Sequence, residues 1–314
     1  MKNDPIYPLK TDLADERHEH FPRHDTVSDG VTCRSKQLDG LNITELILTS
    51  SEAAAFYGKP QGRYVTAEFE PSAFDTHALF ERNCAVVSKL LDSFLLPILS
   101  QNNGCVLLVG LGNPSVPADA VGERIVRNFI VTRPVKQAVP TLYERLYSRE
   151  TAAVVPDVYG NTGIEAAQLV RGTVQTLKPA CVVAADALSS RKPTRLTSAV
   201  QICDTGVCPG SGVGNRRAEL SEKTLGVPVV AVGIPTVVNV SCLLSDALAL
   251  CGVSSEALSE KTKSALREQI GEDLHVSSKD CGDGIARIAR LVGYALNASI
   301  HRSIPFSEMP DHLR

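Results

Sequence analysis

Two aspartates in similar settings carry the chemistry this sequence is best equipped for. Asp119 closes the run CVLLVGLGNPSVPAD (105–119) and Asp186 closes CVVAAD (181–186), in a chain otherwise poor in catalytic residue types. Two carboxyl groups brought close together cannot both ionise cheaply. One pKa rises, and the shared proton lets one group activate water while the other protonates a leaving group, the physical basis of aspartic-type peptide hydrolysis. The same residues also have a plainer reading, because an Asp at the end of a strand is often a helix cap or a turn former.

Other constellations fit less well. GLGNPS (110–115) misses the dinucleotide fingerprint: Ser115 stands where the third glycine belongs, and no Asp or Glu occurs between Arg124 and Tyr143 to hold a ribose. CPGSGVGN (208–215) lacks the Gly-Lys-Ser/Thr ending of a phosphate loop. Its residues Gly210, Ser211, Gly212, Gly214 and Asn215, with the Gly112-Asn113 turn, can bring backbone N–H groups close to a peptide or its oxyanion. Serine catalysis needs a base, yet no histidine lies between His77 and His275, so a Ser–His pair would require His275 or His301 to fold back. Neither a GxSxG elbow nor HExxH occurs. Cys203 and Cys208 have no second pair and no nearby histidine to complete a tetrahedral site, so neither a metal nor a cofactor is expected.

Strands and helices must bring the two acids together. Short apolar runs near 105–109, 152–155, 181–185, 198–203 and 228–232 read as buried strands. Helical spacing is seen over 77–101, 119–130, 238–250, 256–270 and 284–301, and Thr162 with Glu165 reads as a capping box opening a further helix. The runs 42–50 and 62–70 read as strands of an antiparallel N-terminal extension. The fold class expected is therefore α/β, a doubly wound and mostly parallel sheet, in which ligands bind at the carboxyl edge of the strands. Residues 1 to about 30 are polar, hold His18, His20 and His24, and read as a loosely attached leader.

Bulk composition narrows the function classes. Of 314 residues 43% are hydrophobic and 21% charged, ordinary values for a globular chain. A net charge of −3 without any Lys/Arg-rich run argues against direct nucleic-acid binding. Apolar stretches are broken well before the roughly 18 residues a spanning helix needs, and the amino terminus is too polar for a signal sequence, so no membrane role is expected. Nine singly placed cysteines fit free thiols in a reducing cytoplasm.

The segments VGLGNPSVPADAVG (109–122), TGIEAAQLVRGTV (162–174), ADALSSR (185–191), QICDTGVCPGSGVGNRR (201–217) and LGVPVVAVGIPTVVNV (225–240) resemble, in this order, the germination protease (spore protease) family. GRYVT (62–66) and TDLA (11–14) extend the resemblance over most of the chain. It implies that Asp119 and Asp186 are the catalytic pair. It implies a homotetrameric endopeptidase of the forespore and spore core, made as a zymogen, that degrades the small acid-soluble proteins coating spore DNA. The TDLA match implies self-processing between Asp12 and Leu13, dividing the chain into a leader (1–12) and a single α/β peptidase domain (13–314). Pro117-Ala118, Glu123 and Asn239 depart from the family pattern, and the stretch from about 250 to 284 is shorter than in many members. These departures bear on substrate preference and activation more than on chemistry. Two alternatives remain: a hydrogenase-maturation-type endopeptidase, whose fold the expected one resembles, and a nucleotide- or anion-binding module built on the glycine loops.

Overall fold

The structure, a computed structural model, describes residues 9–20, 29–208, 218–253, 257–270 and 274–313. Its strands are β1 (Val31–Leu38), β2 (Leu41–Leu48), β3 (Gly62–Glu68), β4 (Val106–Gly110), β5 (Thr151–Val154), β6 (Cys181–Ser190), β7 (Ala199–Cys203), β8 (Val229–Asn239) and β9 (His275–Val276). They form one sheet in the order β1-β2-β3-β7-β8-β6-β4-β5, with β9 on β8. The centre, β8-β6-β4-β5, is parallel. β2 and β3 form the expected antiparallel extension, to which β1 adds an edge strand that was not expected, and β7, which runs antiparallel to both neighbours, joins them to the centre.

The parallel strands are buried on both faces, which is why they read as unbroken Val, Ala and Leu runs and not as alternating ones. On one face lie the helices His77–Leu99, Val121–Arg127 and Cys281–Ile300, packed around Leu91, Ile125, Ile288 and Val292. On the other, Ala166–Leu177 covers β4 and β6 through Val170 and Val174. β2 shows both layers in one strand: Leu41 and Ile43 join the first core, while Leu46 and Leu48 face a third cluster with Ala14, Ala53 and Tyr57. The sheet is thus doubly wound, as the sequence predicts. Among the described residues no helix is long and apolar enough to cross a membrane.

Two expectations change. Thr162 does not open a helix. Gly163, at φ 69°, ends the short helix Tyr159–Thr162, the Thr162 hydroxyl donates to Val158 O at 3.2 Å, and the next helix starts at Ala166. Nor are residues 9–20 loosely attached: Thr11, Asp12, Leu13, Ala14, Asp15 and Glu16 are all buried. Polarity misled there, because the acidic side chains that look solvated find buried partners.

Candidate active site

The register of the parallel strands sets the site. Gly110, the last residue of β4, is aligned with Ala185 of β6, and Leu111 N–H donates to Ala185 O at 2.8 Å. Asp186 follows at once. It does not end its strand as expected, since β6 continues to Ser190 beside β8, beyond the last residue of β4. Asp186 is 7% exposed, and Ala187 N–H donates to its Oδ1 at 3.0 Å. Burial raises its pKa well above the ordinary carboxylate value, and the nearby negative charges of Asp119 and then Asp12 raise it further.

Asp119 reaches the site on the short 3-10 turn Pro117–Asp119, ahead of the helix Val121–Arg127. The chain leaves β4 through Gly112, whose φ of +101° is a conformation that L side chains rarely adopt. A Cβ there would lie 2.0 Å from Asp119 O and 2.8 Å from its Oδ1. This close approach lets Asn113 N–H donate to Asp119 Oδ2 at 2.8 Å. In this turn the Asn113 N–H is thus directed to the acid. Asp119 is half-buried and accepts this N–H.

A cavity of about 290 Å³ opens beside Asp186, with Asp12, Lys59, Tyr64, Gln201 and Cys203 in its wall. Asp12 belongs to a buried strap, residues 11–16, that passes beside it. Asp12 N–H donates to Ser189 O at 2.8 Å, and Ser189 N–H donates to Asp12 Oδ2 at 2.9 Å, so the strap docks on the part of β6 that outruns β4. Lys59 Nζ donates to Asp12 O at 2.7 Å. The Gln201 amide donates to the same oxygen at 3.3 Å and accepts Ala14 N–H at 2.7 Å.

The strap is anchored by charge. Glu16 accepts the backbone N–H groups of Arg191 at 2.6 Å and Lys192 at 3.1 Å, and the Thr11 hydroxyl donates to it. Burial nevertheless raises the Glu16 pKa, with Thr11, the two N–H groups and Arg195 opposing. The buried Arg195 pairs with Asp15 at 2.8 Å, with Glu16 at 3.7 Å, and with Glu68.

Asp119 and Asp12 are both close enough to act electrostatically on Asp186, although of these three only Asp12 and Asp186 line the cavity. Gly210, Ser211, Gly212, Gly214 and Asn215 lie outside the described residues, although Cys208 and Glu219, on either side of their loop, line the cavity. His275 and His301 do not line it: His275 sits by Asn239, and His301 is buried against Tyr147. Asn239 caps the helix Val240–Leu250 by accepting Ser241 N–H at 2.9 Å, which a neutral amide does as well as a carboxylate. Sequence reasoning missed Lys59, Ser189, Arg195 and Gln201. For Gln201 the signal was there, a long polar residue inside the apolar strand AVQIC; for Arg195 no spacing rule would have found it.

Germination protease relatives from Clostridium perfringens and Clostridium acetobutylicum are each 31% identical, covering 97% and 96% of this chain and 98% of their own lengths. A germination protease of Bacillus cytotoxicus is 38% identical over 77% of this chain and 66% of its own. Among solved structures, the NiFe hydrogenase maturation protease HycI of Thermococcus kodakarensis KOD1 matches 66% of this chain and 99% of its own at 15% identity and a TM-score of 0.34, a level at which nothing is transferred. The germination protease family model matches residues 10–265, and the chain belongs to that family of peptidases.

Proposed function

We propose that this protein is an aspartic-type endopeptidase, made as a zymogen, in which Asp119 and Asp186 work as an unequal pair. The observation that supports this reading is the buried Asp186 carboxyl, raised by its own burial and by the Asp119 charge, beside an Asp119 that accepts a backbone N–H. Environments that push two carboxyl pKa values apart assign the roles of acid and base. Asp119, ionised, takes a proton from water as it attacks the peptide carbonyl carbon. Asp186, protonated, delivers its proton to the departing amine.

Residues 1–12 are the leader in this reading, and the bond between Asp12 and Leu13 is the one the enzyme cuts in itself. The strap is then a substrate already docked, and it forms part of the cavity wall until it is cut. The processed enzyme works as a homotetramer in the spore core, and its substrates are small acid-soluble spore proteins. Incubating the purified chain with such a protein and reading the products by mass spectrometry tests this. The wild type cleaves, whereas Asp119→Asn and Asp186→Asn fold and do not. Turnover retained by either variant would overturn the pair.

A further inference from the structure

The carbonyl group of Asp12 is held more closely than docking requires. Its oxygen accepts from the Lys59 ammonium at 2.7 Å and from the Gln201 side-chain amide at 3.3 Å. Through its other end the same amide accepts Ala14 N–H at 2.7 Å, so one side chain straddles the Asp12–Leu13 peptide bond. The Ala14 contact fixes which end of the amide faces Asp12, because a backbone N–H needs an acceptor.

Both donors stand on rigid supports. The helix Ser51–Tyr57 ends at Gly58, at φ 58°, and Lys59 N–H then bonds back to Ala54 O at 3.1 Å, a helix-ending motif that fixes the lysine backbone before Pro60. Gln201 lies in β7 with β3 on one side and β8 on the other, opposite Thr66 and Gly233. Lys59, Gln201, Asp12 and Asp186 all line the same cavity.

We propose that Lys59 and Gln201 form the oxyanion site of this peptidase, and that Lys59 is a catalytic residue for cleavage after Asp12. The proposal rests on the reading that the Asp12–Leu13 bond is cut. In the step it describes, water oxygen bonds to the Asp12 carbonyl carbon and one water proton passes to Asp119. The carbonyl electron pair moves onto oxygen, where the Lys59 ammonium and the Gln201 N–H hold the charge. Collapse breaks the carbon–nitrogen bond, and the Leu13 nitrogen takes the proton of Asp186. One water is consumed, leaving a carboxyl on Asp12 and an amine on Leu13. Donors aimed in advance at the place where charge develops supply the largest single effect in such reactions. An ammonium in a partly enclosed site does this more strongly than a neutral donor. Asp12 supports the cation as well, since its carboxylate opposes the pKa lowering that enclosure imposes on Lys59.

The test is the first-order rate of self-cleavage of the full chain, followed by intact mass, with amide hydrogen exchange over residues 13–16 read in parallel. Lys59→Met is expected to slow cleavage by about 10²–10³-fold, the usual loss when one oxyanion donor is removed, with exchange protection unchanged. Lys59→Arg, which keeps a cation, is expected to recover at least about tenfold of that loss. Gln201→Glu keeps the acceptor for Ala14 N–H but turns an anionic oxygen toward the carbonyl, so it slows cleavage with the strap in place, and it serves where Lys59→Met does not fold. A Lys59→Met rate within a few-fold of wild type would overturn the proposal, as would a fall in rate matched by equal loss of protection, which marks mere anchoring. Wild-type chain that never breaks after Asp12 would instead sink the underlying reading of the cut bond, and the proposal with it.

Discussion

Asn113 donates its backbone N–H to the Asp119 carboxylate at 2.8 Å, so the turn that carries this acid out of the β4 region also sets its orientation. The relationship depends on Gly112, because only a residue without a side chain fits at φ +101° with Asp119 O so near.

Gly112→Ala is therefore expected to cost about 1–3 kcal/mol of stability from backbone strain alone. By misplacing Asp119 on the order of an ångström it is expected to lower kcat about 100-fold. Urea unfolding and steady-state kinetics on the same preparation check both numbers. An unaltered kcat would mean that the turn does not orient the acid.

Asp186→Asn should separate stability from activity. The folded carboxyl holds its proton to higher pH than the unfolded chain does. Its stabilising contribution is complete below the ordinary carboxylate value of 3.8 and is lost as pH rises through the folded value. The neutral amide carries no such loss and still accepts Ala187 N–H. Thermal unfolding at pH 8 should give the variant the higher Tm, the difference closing toward pH 3, with no peptidase activity at either pH. A lower Tm at pH 8 contradicts the burial argument.

On the proposed zymogen reading, the docked strap makes the uncut chain a poor enzyme toward other substrates. A tethered segment competes at millimolar effective concentration, so trimming to Leu13 should raise the rate on an added peptide by about tenfold or more. Fluorogenic peptide assays on uncut and trimmed chain decide this, and equal rates would mean that the strap does not block the site.

Arg195 neutralises the buried Asp15 and Glu16 of the strap and also pairs with the partly exposed Glu68 on β3. Removing one partner of a buried ion pair leaves uncompensated charge, so Arg195→Met is expected to lose about 3–5 kcal/mol. Denaturant unfolding near neutral pH measures the loss. A change below about 1 kcal/mol, the range of exposed pairs, would show that solvent reaches the cluster.

The parallel centre of the fold was legible because strands buried on both faces leave unbroken apolar runs: β4, β6 and β8 each begin within one residue of the expected start, although β6 and β8 run five and seven residues past the expected ends. The two acids were legible for the same reason, since each follows such a run. β1 (VTCRSKQL) was not legible, because it lies mostly exposed at the sheet edge and carries no hydrophobic pattern. The strap was misread because composition registers Asp12, Asp15 and Glu16 as solvated. Only the tertiary fold supplies Ser189 N–H, the N–H groups of Arg191 and Lys192, and the Arg195 cation to receive them.

The central claim is that Asp119 and Asp186 are electrostatically coupled at one site. Carbon-13 labelling of the aspartate carboxyls, with an NMR titration of Asp186 in the wild type and in Asp119→Asn, tests it most directly. The account predicts that Asp186 keeps its proton well above the ordinary carboxylate range in the wild type, and that its titration moves to lower pH once the Asp119 charge is gone. An Asp186 that titrates in the ordinary range, or that does not respond to the loss of Asp119, would contradict it.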